Sequence, residues 1–290
     1  MTEPQAAHRV RTVPIEGGRM ELLEIPGGTG IPLLVLGGVE LGLRPVAGTE
    51  QVLLRRWARR AERRGVTVMG RPIPDDPTDA GLLLHPRVIA DAVAGVVATL
   101  PHPVAIEAES GGGRISLWLA VDHPELVSRM VLSSVASETP SRSPMAERLG
   151  RWVVLAEAHD WGRLFSGFAL QMRPAAADGG SDSFTAAARL QPRPSTPARF
   201  IAELRTTLDP SSFVTHRLDE IDIPTLVLAG GRDQVVPAER SRQVAEAIRG
   251  ARFELDAESG HTVRATFRGY DELVEAFLAE GDPVPPPAPG

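Results

Sequence analysis

Val104-Ala105-Ile106-Glu107-Ala108-Glu109-Ser110-Gly111-Gly112-Gly113-Arg114-Ile115-Ser116-Leu117-Trp118 is an apolar run that stops at a serine, passes through three glycines and opens into helical periodicity. A strand running straight into a helix puts the serine on a sharp turn that displays its hydroxyl. Close packing of strand on helix requires small residues two before and two after the serine, because larger side chains would collide across the turn. Ala108 and Gly112 meet that requirement.

A serine hydroxyl is a poor nucleophile unless a base takes its proton, and the base needs an acid to orient it. Two later stretches supply candidates. In Ile223-Pro224-Thr225-Leu226-Val227-Leu228-Ala229-Gly230-Gly231-Arg232-Asp233 an apolar strand breaks into a glycine turn with an aspartate just beyond it. Ala257-Glu258-Ser259-Gly260-His261 follows the last predicted strand. Singly, each has a plain alternative: serine and glycine abound in turns, Asp233 could cap the next helix, and His261 could be a surface loop residue. Together, in this order and each after a predicted strand, the three stretches resemble the α/β-hydrolase family, with Ala108 in place of the usual first glycine of the serine motif.

The alternation of elements points the same way. Strands are predicted over residues 11–16 and 20–25, forming a hairpin, and over 33–36, 66–69, 104–108, 130–134, 225–229 and 252–255. Helices are predicted over 50–64, 86–100, 112–121, 238–249 and 271–279. This pattern implies an α/β protein with a mainly parallel central sheet, helices on both faces, and functional groups at the carboxyl ends of the strands. Between residues 136 and 222 the alternation lapses into helix-like pieces, 145–158 and 196–208, around a Gly/Pro/Ser-rich stretch at 174–183. The expected organisation is a flexible N-terminus at 1–10, a hydrolase core at 11–135 and 223–280, a helical cap insertion at 136–222, and a Pro-rich tail at 281–290.

Composition narrows the chemistry. A chain of 290 residues can bury a large core, and a net charge of −6 offers no electrostatic case for a nucleic-acid partner. There is no cysteine, hence no disulfide, thiol nucleophile or thiolate ligand. All 31 basic residues are arginine, so a Walker-type phosphate loop and a pyridoxal Schiff base are both excluded. The seven histidines are scattered, without His-Glu-x-x-His or His-x-His, so no metal is expected, and the reaction implied needs no cofactor. Gly111 to Ser116 lacks the third glycine of a dinucleotide fingerprint. Residues 1–10 have no signal-like apolar core, and the longest helix-like apolar stretch, 88–100, contains Asp91 and is too short to span a bilayer. The expectation is a soluble cytoplasmic protein with no membrane partner; a homo-oligomer is left open.

The predicted helix at 50–64 carries Arg55, Arg56, Arg59, Arg60, Arg63 and Arg64 opposite a stripe of Leu53, Leu54, Trp57, Ala58 and Ala61. A solvated helix back is the favoured reading of that arginine face. Docking of a carrier protein there is the less favoured one.

The family resemblance implies a triad of Ser110 as nucleophile, His261 as base and Asp233 as orienting acid, in the family's chain order. It also implies two backbone donors for a tetrahedral oxyanion. One is the N–H of Gly111. The other follows the family's His-Gly pair, which here reads Leu36-Gly37-Gly38-Val39, so glycine replaces histidine and Val39 takes the donor position. What is lost is the scaffolding that such a histidine supplies by hydrogen-bonding within its loop.

Relatives that open epoxides or cleave haloalkanes use an aspartate nucleophile, where this chain has Ser110. The acidic cap motif of proline aminopeptidases is not recognisable. The expectation is therefore a serine hydrolase acting on a carboxylic ester or thioester of a mainly hydrophobic small molecule. The first half of the cap, rich in apolar and aromatic residues, supplies pocket candidates in Trp161, Phe165 and Phe168. Lyase, cyclase or acyltransferase chemistry on the same triad stays open, as does a small-molecule receptor with little turnover. Glu107 stands in the central strand where an apolar residue is expected, and a buried carboxylate needs a partner. Pairing with an arginine such as Arg114 is the favoured reading and tuning of the site the other, and Glu109 is expected to cap a helix or form a salt bridge.

Overall fold

The computed structural model describes residues 8–172 and 196–282. The expected segments at 1–7, 174–183 and 283–290 lie outside the described residues. Strand β1 (Arg9–Ile15) pairs antiparallel with β2 (Gly18–Leu36), so regular structure begins inside the stretch expected to be flexible. β2 takes part in the sheet twice. Its residues 22–25 and 33–36 both register against 66–69 of β3 (Arg64–Met69), one on each side. The two strands predicted from sequence at 20–25 and 33–36 are thus two halves of one extended run that changes neighbours.

Beyond β3, the two-residue β4 (Ile73–Pro74) closes on the start of β2. The second half of β2 then leads, all parallel, through β5 (Val104–Glu109), β6 (Val127–Ser133), β7 (Thr225–Gly230) and β8 (Arg252–Asp256). The helices are α1 (Val39–Leu43), α2 (Glu50–Ala61), α3 (Ala80–Leu83), α4 (Pro86–Val97), α5 (Gly111–Asp122), α6 (Pro144–Glu157), α7 (Trp161–Met172), α8 (Pro197–Leu208), α9 (Ala238–Ala247), α10 (Val263–Thr266) and α11 (Tyr270–Ala279). Among the described residues no single helix is long and apolar enough to cross a membrane.

Two-residue periodicity along the strands sends alternate side chains to opposite faces. Leu22, Leu34, Leu36, Ile106 and Leu132 face α4, α5 and α9. Leu23, Val35, Ala105, Val131 and Leu228 pack with Trp57 of α2 and Val274 and Phe277 of α11. These strand residues are almost fully buried, each leucine or isoleucine stabilising the fold by about 1.5–3 kcal/mol relative to exposure. The helices α6, α7 and α8 lie in the long connection between β6 and β7.

The arginine-rich helix departs from the solvated-face expectation. α2 ends at Ala61, and Arg64 belongs to β3. Arg60 and Arg64 are buried because carboxylates draw them in: Arg60 hydrogen-bonds Glu107 at 2.9 Å and forms an ion pair with Asp271 at 3.1 Å, and Arg64 hydrogen-bonds Glu275 at 2.6 Å and Asp282 at 2.8 Å. Asp282 also accepts the Ile31 N–H at 2.9 Å, which fastens the first residues of the expected tail to β2. Only Arg55, Arg59 and Arg63 of this set are exposed.

Candidate active site

β5 delivers its apolar run as far as Glu109 and α5 starts at Gly111, leaving Ser110 alone between strand and helix. Ser110 has φ 53° and ψ −119°, a region costly for a residue with a Cβ and characteristic of functional turns. A Cβ on Gly112 would lie 2.1 Å from the Leu36 carbonyl oxygen, so any side chain there would drive α5 away from β2. This is the collision that the sequence pattern anticipates.

Asp233 lies in the turn after β7. Its Oδ1 accepts the N–H groups of Val235 and Val236, both at 2.8 Å, which fixes the carboxylate while Oδ2 meets His261 Nδ1 at 2.8 Å. Nδ1 must carry a proton for that bond, which leaves Nε2 as the acceptor for the Ser110 hydroxyl 3.1 Å away. His261, between β8 and α10, is held from behind, since its carbonyl oxygen accepts from Ser134 Oγ at 3.0 Å and from the Val263 N–H at 2.9 Å. Burial alone would lower the imidazole pKa. The Asp233 charge and hydrogen bond, with a smaller contribution from Glu109, outweigh it and raise the pKa above its ordinary value.

The structure therefore brings together all three side chains expected to act in concert. Val39 and Gly111 are the first residues of α1 and α5, so their N–H groups have no acceptor within their own helices. They are neighbours: a Cβ on Gly111 would lie 3.3 Å from Val39 Cγ2, and one on Gly38 would lie 3.9 Å from Ser110 Oγ. Both helix starts thus border the turn that carries Ser110.

Ser110 and His261 open into a cavity beneath α6, α7 and α8. Met145, Leu149 and Trp152 of α6, Phe168 of α7, Phe200 and Leu204 of α8, and Ile89, Val235 and Val236 make most of its wall apolar. Of the three aromatic residues expected in a pocket, Phe168 lines this cavity. Trp161 and Phe165 do not; they are buried behind it. Trp161 meets Phe200 edge-on at 6.2 Å, and Phe165 meets Phe168 at 6.4 Å. All three share one stripe of α7, and Trp161 and Phe165 lie where that stripe packs on Phe200 and Phe168 and support the lining residues. His85, His102, His159 and His216 are not among the lining residues.

Besides Ser110, His261 and the hydroxyls of Thr206 and Thr207, the wall carries the charged side chains Glu109, Arg114 and Glu203. Glu109 pairs with Arg56 at 3.3 Å, a salt bridge as expected. Glu107 does not pair with Arg114. Its partners are Arg60 at 2.9 Å, Arg264 at 2.5 Å and the Tyr270 hydroxyl at 3.1 Å, because its side chain points to the α2 and α11 face of the sheet. Arg114 instead bonds the Ala136 and Thr207 carbonyls, Thr139 Oγ1 and Ser212 Oγ, and burial lowers its pKa to about 10. Nothing in the sequence marks Arg71 or Glu203, which bond at 3.0 Å across 132 positions. One arginine among many and one carboxylate on an amphipathic helix become neighbours only through folding.

A family model described as serine aminopeptidase, S33 (Hydrolase_4) matches residues 88–263. A 2-hydroxymuconate semialdehyde hydrolase of Pseudomonas sp. (strain CF600) is 26% identical over 286 residues, covering 97% of this chain and 98% of that protein. A pimeloyl-[acyl-carrier protein] methyl ester esterase of Neisseria meningitidis serogroup B is 28% identical over 207 residues, covering 68% of this chain and 76% of that protein. Among solved structures, the enol-lactonase from Burkholderia xenovorans LB400 superposes with a TM-score of 0.72 at 18% identity, over 93% of this chain and 100% of that one, a likeness of fold.

Proposed function

We propose, on the premise that this chain belongs to the serine aminopeptidase S33 family of α/β-hydrolases and is an enzyme of esterase type, that it cleaves a carboxylic ester or thioester of a mainly hydrophobic small molecule through an acyl-enzyme on Ser110. The observation that carries this reading is the hydrogen-bonded chain Asp233–His261–Ser110 opening into an apolar cavity. His261 takes the Ser110 proton as Oγ attacks the acyl carbon, and the N–H groups of Val39 and Gly111 receive the oxyanion. The alkoxide or thiolate leaves with the proton from His261. A water molecule, deprotonated by the same imidazole, then releases the acid.

The lining favours an uncharged acyl or alcohol group over a substrate amine. Of the two carboxylates at the wall, Glu109 pairs with Arg56, and Glu203 gives one oxygen, Oε1, to Arg71. Residues 136–222 act in this reading as a cap whose helices α6, α7 and α8 lend one apolar face to the substrate. The relatives' names, one an esterase acting on a methyl ester and one a semialdehyde hydrolase, are consistent with acyl chemistry of this type.

Measuring kcat/KM along a p-nitrophenyl ester series of increasing acyl length tests the proposal. Each methylene that enters the cavity should contribute up to about 0.8 kcal/mol, a rise of about fourfold per carbon until the cavity is filled. A preference for acetyl or for charged acyl groups would refute the hydrophobic-substrate reading.

A further inference from the structure

The segment Gly37-Gly38-Val39 lacks the histidine that would brace it, yet its backbone is held. Arg71, fully buried just after β3, sends Nη2 to the Gly37 carbonyl at 2.8 Å and gives its own backbone N–H to the Gly42 carbonyl, also at 2.8 Å. The chain closes tightly around this guanidinium, since a Cβ on Gly42 would lie 2.7 Å from Nη1. Arg71 is itself held from α8, its Nε bonding Glu203 Oε1 at 3.0 Å and its carbonyl oxygen accepting Arg199 Nη2 at 3.1 Å. The pair also borders the other proposed donor: a Cβ on Gly111 would lie 3.5 Å from Glu203 Oε1 and 3.6 Å from Arg71 Nη2.

We infer that Arg71 is a positioning residue for the oxyanion hole, bracing the loop that carries Val39, and that Glu203 aligns Arg71 and thereby couples α8 to that loop. The inference rests on the role proposed for Val39. A guanidinium suits the task because its planar fork can bond a carbonyl and a carboxylate at once, which a lysine ammonium matches poorly. Donors aimed at the oxyanion act only in the transition state, so loosening the loop costs turnover and spares ground-state binding.

Arg71→Met, Glu203→Leu and Glu203→Gln test the inference in the full chain. Arg71→Met should lower kcat by about 10- to 100-fold with KM within about threefold of the wild-type value. A trifluoromethyl ketone reports the hole directly: Ser110 Oγ adds to its carbonyl carbon, the serine proton passes to His261, and the carbonyl oxygen becomes an oxyanion. Its affinity should fall by the same factor as kcat, while the matching methyl ketone inhibits as before. Amide hydrogen exchange should rise within residues 37–43. Glu203→Leu should show the same pattern more weakly, and Glu203→Gln, which keeps an acceptor for Nε, should stay within about threefold of wild type.

If Arg71→Met does not fold because Glu203 is left buried without its partner, Arg71→Met/Glu203→Leu removes both charges and carries the same expectation. A folded variant with unchanged kcat, unchanged ketone affinity and unchanged exchange at 37–43 would overturn the inference. So would losses shared equally by both ketones, which mark a general loss of structure. Wild-type protein inert toward every ester would instead count against the esterase reading, and loop exchange alone would then decide the brace.

Discussion

Arg264 Nη1 lies 2.5 Å from Glu107 Oε1, so an arginine just beyond His261 is tied to a carboxylate just before Ser110. Through this pair the histidine loop and the nucleophile strand share one buried anchor, which Arg60 and Tyr270 complete. Arg264 also lies over the Trp57 ring at 4.0 Å, so α2 is part of the same assembly.

Removing the carboxylate strands its partners. Glu107→Leu leaves Arg60, 1% exposed, without its closest anion, and should lower stability by about 3–5 kcal/mol. Glu107→Gln keeps an acceptor and should cost about 1–3 kcal/mol. Denaturant titration of both variants measures the difference. Equal stability of Glu107→Leu and the wild type would contradict the structural role of this cluster.

The raised pKa of His261 sets the sign of the pH dependence. The base must be neutral to act, so kcat/KM should rise with pH through a midpoint above about 6.5. The native state holds the imidazole proton more tightly than the unfolded chain. The corresponding stabilisation is complete below about pH 6.5 and disappears as pH climbs through the raised value. Asp233→Asn removes the charge that outweighs burial and should move the midpoint downward while lowering kcat severely. A wild-type midpoint well under pH 6, or one unmoved in Asp233→Asn, would contradict this account.

The elbow, the triad order and the parallel sheet are legible in the sequence because each rests on local rules: strand periodicity, small residues flanking Ser110, and turns after β7 and β8. The partner of Glu107 is not legible. Arg114 is close in sequence, but strand alternation points Glu107 to the opposite face, where Arg60 and Arg264 arrive from distant elements. The same limit applies to α7. Its composition announces an apolar helix, but which of Trp161, Phe165 and Phe168 meets the cavity depends on how α7 packs beside α6 and α8.

That distinction is measurable. Phe168→Ala should alter the acyl-length preference with little loss of stability, because Phe168 is a partly buried lining residue. Trp161→Ala should cost about 3–5 kcal/mol of stability and leave the length preference nearly unchanged, because Trp161 packs behind the lining. The reverse assignment of effects would show that Trp161 is the recognition surface.

The central claim is that Ser110 is the nucleophile, and it is tested most directly by the kcat of purified, folded Ser110→Ala on the best p-nitrophenyl ester of the wild type. The account predicts a fall of about 10⁴-fold or more, leaving only the residual catalysis of an oxyanion hole and cavity without a nucleophile. Turnover by Ser110→Ala within about tenfold of the wild type would contradict it.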